Sequence, residues 1–382
     1  MTFYRHFIEK PDFEVLVVTS SPHVDDQPLP YEPVRVSLPC WWGRACKTRF
    51  LPYLYPLQAL YGHLFLDKQV VDRIQKFQPD AVFSVAGSWD WTALAGQKIA
   101  RKLNIPMIAS FNDWYDYGRF PAHDWFRPVV ERRYRRFYQE ADLALCTSEG
   151  MRGALGEHPN AHVWYPTGAL MDEQAENHEP REVTKTEPLI AFFGGSLGEW
   201  YGPMMESLVR SCEKAGDVVD FRIFGALETW SSEFDAYARE VGIFRGRVDF
   251  EKLSEEASKA DVLILPMGFG EECAHVERTS FKTKFLDYLS FRRPILVWGP
   301  EYCSAVRVAR EFDSAECVIE SSPAACRAAL LKLADSPRRR TELISNAMRM
   351  YRDRFHPERI HTELVRIINQ TVASQKIQIP EL

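Results

Sequence analysis

The residues best placed to do chemistry lie in one segment, Arg278 to Pro300, RTSFKTKFLDYLSFRRPILVWGP. Thr279 and Ser280 are expected to cap a helix whose first-turn amides face outward, which makes an anion site. Arg278, Lys282 and Lys284 add positive charge beside it. Asp287 falls three residues after Lys284, on a neighbouring face of the same helix. Such a helix start can hold a diphosphate, and a carboxylate a turn or two deeper can accept hydrogen bonds from a ribose diol. A capped amphipathic helix with solvated lysines is the plainer alternative.

A second segment, FFGGSLGEWYGP at 192 to 203, reads as a strand, a glycine loop and a helix. Gly194, Gly195 and Ser196 would let the backbone approach a ligand closely, and Phe224 and Gly225 open a loop expected near a nucleotide base. In the first half of the chain, Asn112 and Asp113 follow the run IASF, so they should emerge at the carboxyl edge of a sheet, where α/β proteins bind ligands. Trp89, Asp90 and Trp91 occupy the same edge one strand earlier. Their rings and carboxylate suit a sugar acceptor, and packing residues at a loop are the alternative. The segment 125 to 141 interleaves Arg127, Arg132, Arg133, Arg135 and Arg136 with aromatic side chains. It is either a membrane-contacting helix for a lipid-linked acceptor or a helix with its arginines paired to neighbouring acids.

These residues need elements to position them. Short runs rich in valine and isoleucine alternate with stretches of helical periodicity, the signature of parallel α/β units. One series of strands is expected at 14–20, 33–39, 81–87, 106–112 and 143–148, with helices near 57–77, 92–104 and 124–140. A second is expected at 189–195, 220–225, 247–250, 261–267, 294–299 and 316–320. The polar stretch from Met171 to Pro188 separates them. The expected organisation is therefore an N-terminal domain over 1–170, a linker at 171–188, a second domain over 189–360, and a helix and tail at 361–382 crossing back to the first domain. The front of the chain is unusual, since FYRHFIEK reads as a helix before the first strand. A truncated chain, an edge strand lost from the sheet, or a short N-terminus would each produce this.

Composition narrows the class. With 382 residues, 46% of them apolar, the chain can bury two cores. Its 53 acidic and 47 basic residues give no global attraction to nucleic acid or to an anionic membrane. The eight cysteines include no C-x-x-C pair and the ten histidines no ligand spacing, so neither a metal site nor a disulfide framework is expected. No apolar run approaches the length of a membrane span. A cytoplasmic protein is expected, with peripheral contact at the inner membrane face through 125–141.

The segment SFKTKFLDYLSFRRPILV resembles the donor-site helix of the family 4 retaining glycosyltransferases, usually S-x-P-x-K-x-x-E-Y-L-A-x-G-x-P-V. The resemblance covers the C-terminal half and, more weakly, the N-terminal half. It implies a GT-B fold of two facing Rossmann-like α/β domains, with nucleotide-sugar donor in the second, acceptor in the first, and no cofactor or metal. Lys284 takes the place of the family's lysine, and Asp287 that of the carboxylate that holds the donor ribose. Thr279 stands where relatives carry another glutamate, with Glu271, Glu272 and Glu277 as nearby substitutes. Tyr201 stands where a lysine usually precedes the loop glycine, and Asn112 where a histidine commonly sits. The resemblance thus points to Asn112, Asp113 and Glu272 for catalysis, with transfer to a glycan or lipid-linked acceptor. A nucleotide-sugar epimerase, or a sugar-binding subunit that has lost turnover, are the rival readings.

Overall fold

The continuous apolar runs are strands covered on both faces, as parallel sheets require. The computed structural model describes residues 2–21, 29–86, 89–115, 120–171, 180–184, 187–217 and 219–378. Gly87 and Ser88, most of the expected linker (172–179 and 185–186) and the last four residues of the expected tail lie outside these. The chain divides into two α/β units, Met1–Pro166 with Ile360–Leu382, and Thr167–Arg359. In the first, β1 (Val18–Thr19) pairs with β2 (Val34–Arg35), while β3 (Val82–Val85), β4 (Met107–Phe111), β5 (Leu143–Cys146) and β6 (Ala161–Val163) form a parallel sheet in that order. In the second, β7 (Leu189–Ser196), β8 (Val219–Ala226), β9 (Val262–Pro266), β10 (Ile295–Trp298) and β11 (Glu316–Val318) form a parallel sheet ordered β11-β10-β9-β7-β8.

Local chemistry explains where the observed elements depart from the expected ones. The strands expected at 14–20 and 33–39 shrink to two residues each, because they pair only with one another and not with the larger sheet. The expected strand at 247–250 is absent. The Asp249 carboxylate accepts the Lys252 amide and starts the helix Phe250–Ser258 instead. The helix expected at 57–77 breaks into Leu51–Tyr61, a 3₁₀ turn Gly62–Phe65, and Lys68–Phe77, whose start is capped by Asp67 through the Gln69 amide at 2.9 Å. The strand β6 was not expected, being three residues with His162 at its centre.

The long helix Pro357–Gln378 shows why the first unit needs both ends of the chain. Ile360, Leu364, Ile367 and Ile368 recur at helical spacing. They are buried against Ile108, Leu143, Leu145 and Trp164, with Phe3 and Phe7 of the helix Thr2–Phe7 completing the cluster. No helix among the described residues is long and apolar enough to cross a membrane.

In the second unit a buried ion group joins the sheet to its helices. Asp261, ahead of β9, accepts the Ile190 amide at 2.8 Å, Arg181 at 2.6 Å and Arg340 at 3.3 Å. Arg340 is fully buried and also donates to the Arg181 carbonyl at 2.6 Å. Removing the carboxylate leaves a buried guanidinium without its counter-charge. Asp261→Ala is therefore expected to destabilise the protein by about 3–5 kcal/mol in urea unfolding, and a loss below about 1 kcal/mol would show that Arg340 is compensated elsewhere.

Candidate functional site

The site of the second unit is built on two adjacent strand ends. β7 and β8 run in register, pairing Gly194 with Phe224, Gly195 with Gly225 and Ser196 with Ala226. A Cβ on Gly225 would overlap the Gly195 carbonyl oxygen, so the backbones approach as only glycine permits. Gly195 itself has φ of 135°. The Ser196 hydroxyl turns back to accept the Gly198 amide at 3.2 Å, which shapes the loop leading to the helix Tyr201–Ala215.

The helix Thr283–Ser290 lies under that loop and addresses it with two side chains four residues apart, on one helical face. The Tyr288 hydroxyl accepts the Gly194 N–H at 3.0 Å and approaches the Gly194 carbonyl at 3.4 Å. The Lys284 ammonium fills the space left by the missing side chain of Gly195, where a Cβ would stand 2.7 Å from Nζ. Its Nζ lies 4.0 Å from the Phe193 ring centroid and 4.8 Å from that of Tyr201. It is buried and has no hydrogen-bond partner. Desolvation, with the nearby Lys282 charge, pulls its pKa down to about 7 against the opposing pull of Asp287. A buried ammonium offering donors to nothing calls for an explanation. Lys282 differs, because it pairs with buried Glu277 at 3.4 Å. Burial raises the Glu277 pKa, partly offset by Lys282 and by the Gly268 amide at 3.2 Å.

Asp287, on the next face, accepts the Ala169 amide at 2.9 Å. The preceding Gly168 passes so close to the helix that a Cβ would meet the Leu286 carbonyl oxygen at 2.7 Å. The expected cap at Thr279 and Ser280 is not what starts this helix. Both residues close the preceding helix Glu271–Thr279: Thr279 is fully buried and donates its hydroxyl to the His275 carbonyl at 2.8 Å, while Ser280 sits at the C-cap. Lys282 is the N-cap residue instead. Arg278 is exposed and stacks over Tyr302 at 5.0 Å. Glu272 is exposed in the first turn of its helix and folds back toward Gly270. Phe224 is core rather than loop, buried at 4% exposure against Phe192 at 5.6 Å, because the strand continues through Ala226. Sequence reasoning missed Tyr288 as the anchor of the glycine loop; its i, i+4 spacing from Lys284 was the available signal.

In the first unit, Asn112 and Asp113 do follow β4. Asn112 accepts the Ser110 hydroxyl at 3.1 Å, and the Asp113 carbonyl accepts the Tyr134 hydroxyl at 3.0 Å. The two tryptophans are packing residues. Trp89 is fully buried against Tyr134 and Phe137, and Trp91 opens the helix Trp91–Leu103 at 2% exposure. Asp90 caps that helix through the Trp91 amide at 2.7 Å, and burial raises its pKa. The arginines of 125–141 are largely engaged. Arg127 pairs with Asp124, Arg135 with Glu131, and Arg133 and Arg136 with Glu140. Among the described residues no cluster of His, Cys, Asp and Glu is placed to hold a metal ion.

Residues 4–167 match the profile described as Glycosyltransferase Family 4. The chain resembles the family 4 glycosyltransferases and has the GT-B fold. No curated protein matches its sequence significantly. Among solved structures, TarM of S. aureus aligns at TM-score 0.53 and 11% identity, over 78% of this chain and 57% of TarM. This chain thus spans less than two thirds of TarM. HepE of Anabaena, solved with UDP, aligns at TM-score 0.55 and 12% identity over 79% of this chain and 82% of HepE. A Listeria monocytogenes protein assigned as a UDP-N-acetylglucosamine 2-epimerase aligns at TM-score 0.51 and 12% identity, over 90% and 84%. At such identities the likeness is one of fold.

The Lys284 geometry makes a test in the ligand-free protein. Its folded pKa of about 7 lies below the ordinary 10.5, so between those values the unfolded chain binds the extra proton and stability rises with pH. Lys284→Met, which removes the charge at similar volume, is expected to raise the melting temperature at pH 7 by about 2–4 °C for about 1 kcal/mol. The gain should shrink as pH approaches 10. A melting temperature lowered at pH 7 would mean that the ammonium is satisfied in the fold.

Proposed function

We propose that the chain transfers a glycosyl group from a nucleotide-sugar donor to a glycan or lipid-linked acceptor, with retention of configuration and without a metal ion. The observation that carries this reading is the unpartnered Lys284 ammonium under the Gly194–Ser196 loop. A diphosphate over the loop would meet that cation, the opening amides of the helix Thr283–Ser290, and a glycine backbone with no side chain in the way. The same groups would stabilise charge on the departing nucleotide diphosphate, where donors fixed beforehand are most effective. Lys282, already paired with Glu277, would contribute less. Asp287 would hold the ribose, since a carboxylate can take several donors at once.

The replacements at Thr279 and Tyr201 have different consequences in this reading. The Tyr201 ring stands beside the Lys284 ammonium, so this position would still act on the cation of the phosphate subsite. The Thr279 hydroxyl is spent within its own helix, which leaves Glu272 and Glu277 as the carboxylates nearest the donor sugar in sequence. On the first unit, Asn112 and Asp113, at the end of β4, are the residues that the family resemblance assigns to catalysis. An epimerase would rely on acid/base groups, and Asn112 in the place of the family's histidine removes one of them.

The test is a panel of nucleotide sugars followed by thermal shift and by nucleotide release. A transferase gives both responses, a binding protein gives the shift alone, and an epimerase converts the donor without release. Lys284→Glu should abolish donor binding, Lys284→Ala should weaken it, and changes at Lys282 should do less, while the parent nucleoside is barely affected. Equal losses for nucleoside and diphosphate would move the phosphate site elsewhere. Asp287→Ala should cost about 1–3 kcal/mol of nucleotide affinity. Turnover should survive chelation, and activity abolished by EDTA and restored by magnesium or manganese would overturn the metal-free mechanism.

A further inference from the structure

Glu277 is the buried carboxylate that the proposed reaction does not yet use. It is 1% exposed on the helix Glu271–Thr279, and three other elements meet at it. Its Oε1 accepts the Gly268 amide at 3.2 Å, from the turn after β9, and the Lys282 ammonium at 3.4 Å, from the start of the helix Thr283–Ser290. Its Oε2 accepts the Cys303 thiol at 3.8 Å, from the N-cap of the helix Ser304–Phe312. Burying a carboxylate is costly unless hydrogen bonds and a counter-charge replace its water, and these three groups do so. Both oxygens are engaged within the fold, at a place that solvent does not reach, which is no position for a sugar ligand.

What the carboxylate holds is the turn 267–270. Gly268 is buried, and a Cβ there would overlap the Cys273 sulfur and stand 3.0 Å from Cδ2 of Trp200. Cys273 lies four residues before Glu277 on the same helical face, and its thiol donates to the Gly270 carbonyl at 3.1 Å. The inner face of the helix therefore grips the turn at both ends. Gly270 is the N-cap residue, and Glu271 and Glu272 follow it directly. Glu272 lies five residues before Glu277, about 140° around the helix, and it is exposed. Its carboxylate folds over Gly270, in the space that a Cβ at this position would take. A shift of Gly268 would move the backbone from which Glu272 projects.

We infer that Glu277 is a positioning residue: through the Gly268 amide it fixes the turn that presents Glu272 to the donor sugar, and it is not itself a sugar ligand. The inference rests on the transferase reading for the part played by Glu272, whereas the tie between Glu277 and the turn is measurable without turnover. Glu277→Leu is made together with Lys282→Met, so that no cation is left facing the vacated place. In the ligand-free protein, amide hydrogen exchange over 267–272 should quicken about tenfold or more, with the strands of the second unit unchanged. Thermal shift with UDP should match that of Lys282→Met alone, while kcat with the donor found in the nucleotide-sugar panel should fall about tenfold or more. Glu277→Gln with Lys282→Met keeps an acceptor for the Gly268 amide and should restore most of the protection and most of the kcat. In a Glu272→Gln background the Leu and Met changes should lower kcat no further, because the group they misplace is already gone. Unchanged exchange over 267–272, no recovery with glutamine, or an undiminished further fall in the Glu272→Gln background would each overturn the inference. Quickened exchange in a chain that turns over no donor would uphold the tie and sink the transferase reading, so the two failures are told apart.

Discussion

The arrangement at the candidate donor site follows from the desolvation of one ammonium group. Lys284 would be solvated on most helices, yet here its tip occupies the volume that a side chain at position 195 would take. Phe193 and Tyr201 provide π faces but no acceptors. Water is excluded and nothing replaces its hydrogen bonds, so the protonated form is held at a cost. The surrounding features make that state possible: glycine at 194, 195 and 225, the Tyr288 hydroxyl fastening the loop, and Glu277 drawing the second lysine aside.

The two lysines illustrate how position alone misleads about charge. Lys282 and Lys284 are separated by a single residue, but one is compensated and the other is not. The difference lies in Glu277, which comes from a preceding helix and is itself buried with a raised pKa. Its proximity separates the two lysines: Lys282 is paired, and Lys284 keeps a buried ammonium without a hydrogen-bond partner. The carboxylate of Asp287 is likewise shared with the chain, through Ala169, so the first residues of the second unit are tied to the same helix that would hold the donor.

Much of the fold was legible because buried parallel strands leave continuous apolar runs, and β4, β5, β7, β9 and β10 lie where those runs do. The edges were harder. Near β1 and β2 the apolar runs are real, but strand length depends on a pairing partner, and each has only the other. At 247–250 a strand-like composition was overruled by Asp249, whose side chain caps a helix. At the candidate donor site, residue types were readable and the local break was not. Glu271 and Glu272 after Gly270 already signal a helix start, and once that helix runs through Thr279 its hydroxyl is consumed internally. Trp89 and Trp91 show the opposite failure, since aromatic residues at a sheet edge can serve a ligand or a core and only burial separates the two. The burial of Lys284 could not be read at all, because it arises from the absence of side chains on other strands.

The C-terminal helix has a consequence for how the chain is made. Ile108, Leu143 and Leu145 belong to the first unit, but the residues that cover them, Ile360 to Ile368, are synthesised only after the whole of residues 167–359. At about 5–20 residues per second this interval is roughly ten to forty seconds. During that time the emerging first sheet carries an uncovered apolar face, while the second unit has every segment it needs. The ribosome therefore delivers the units in one order and completes them in the other: the half that begins first is finished last.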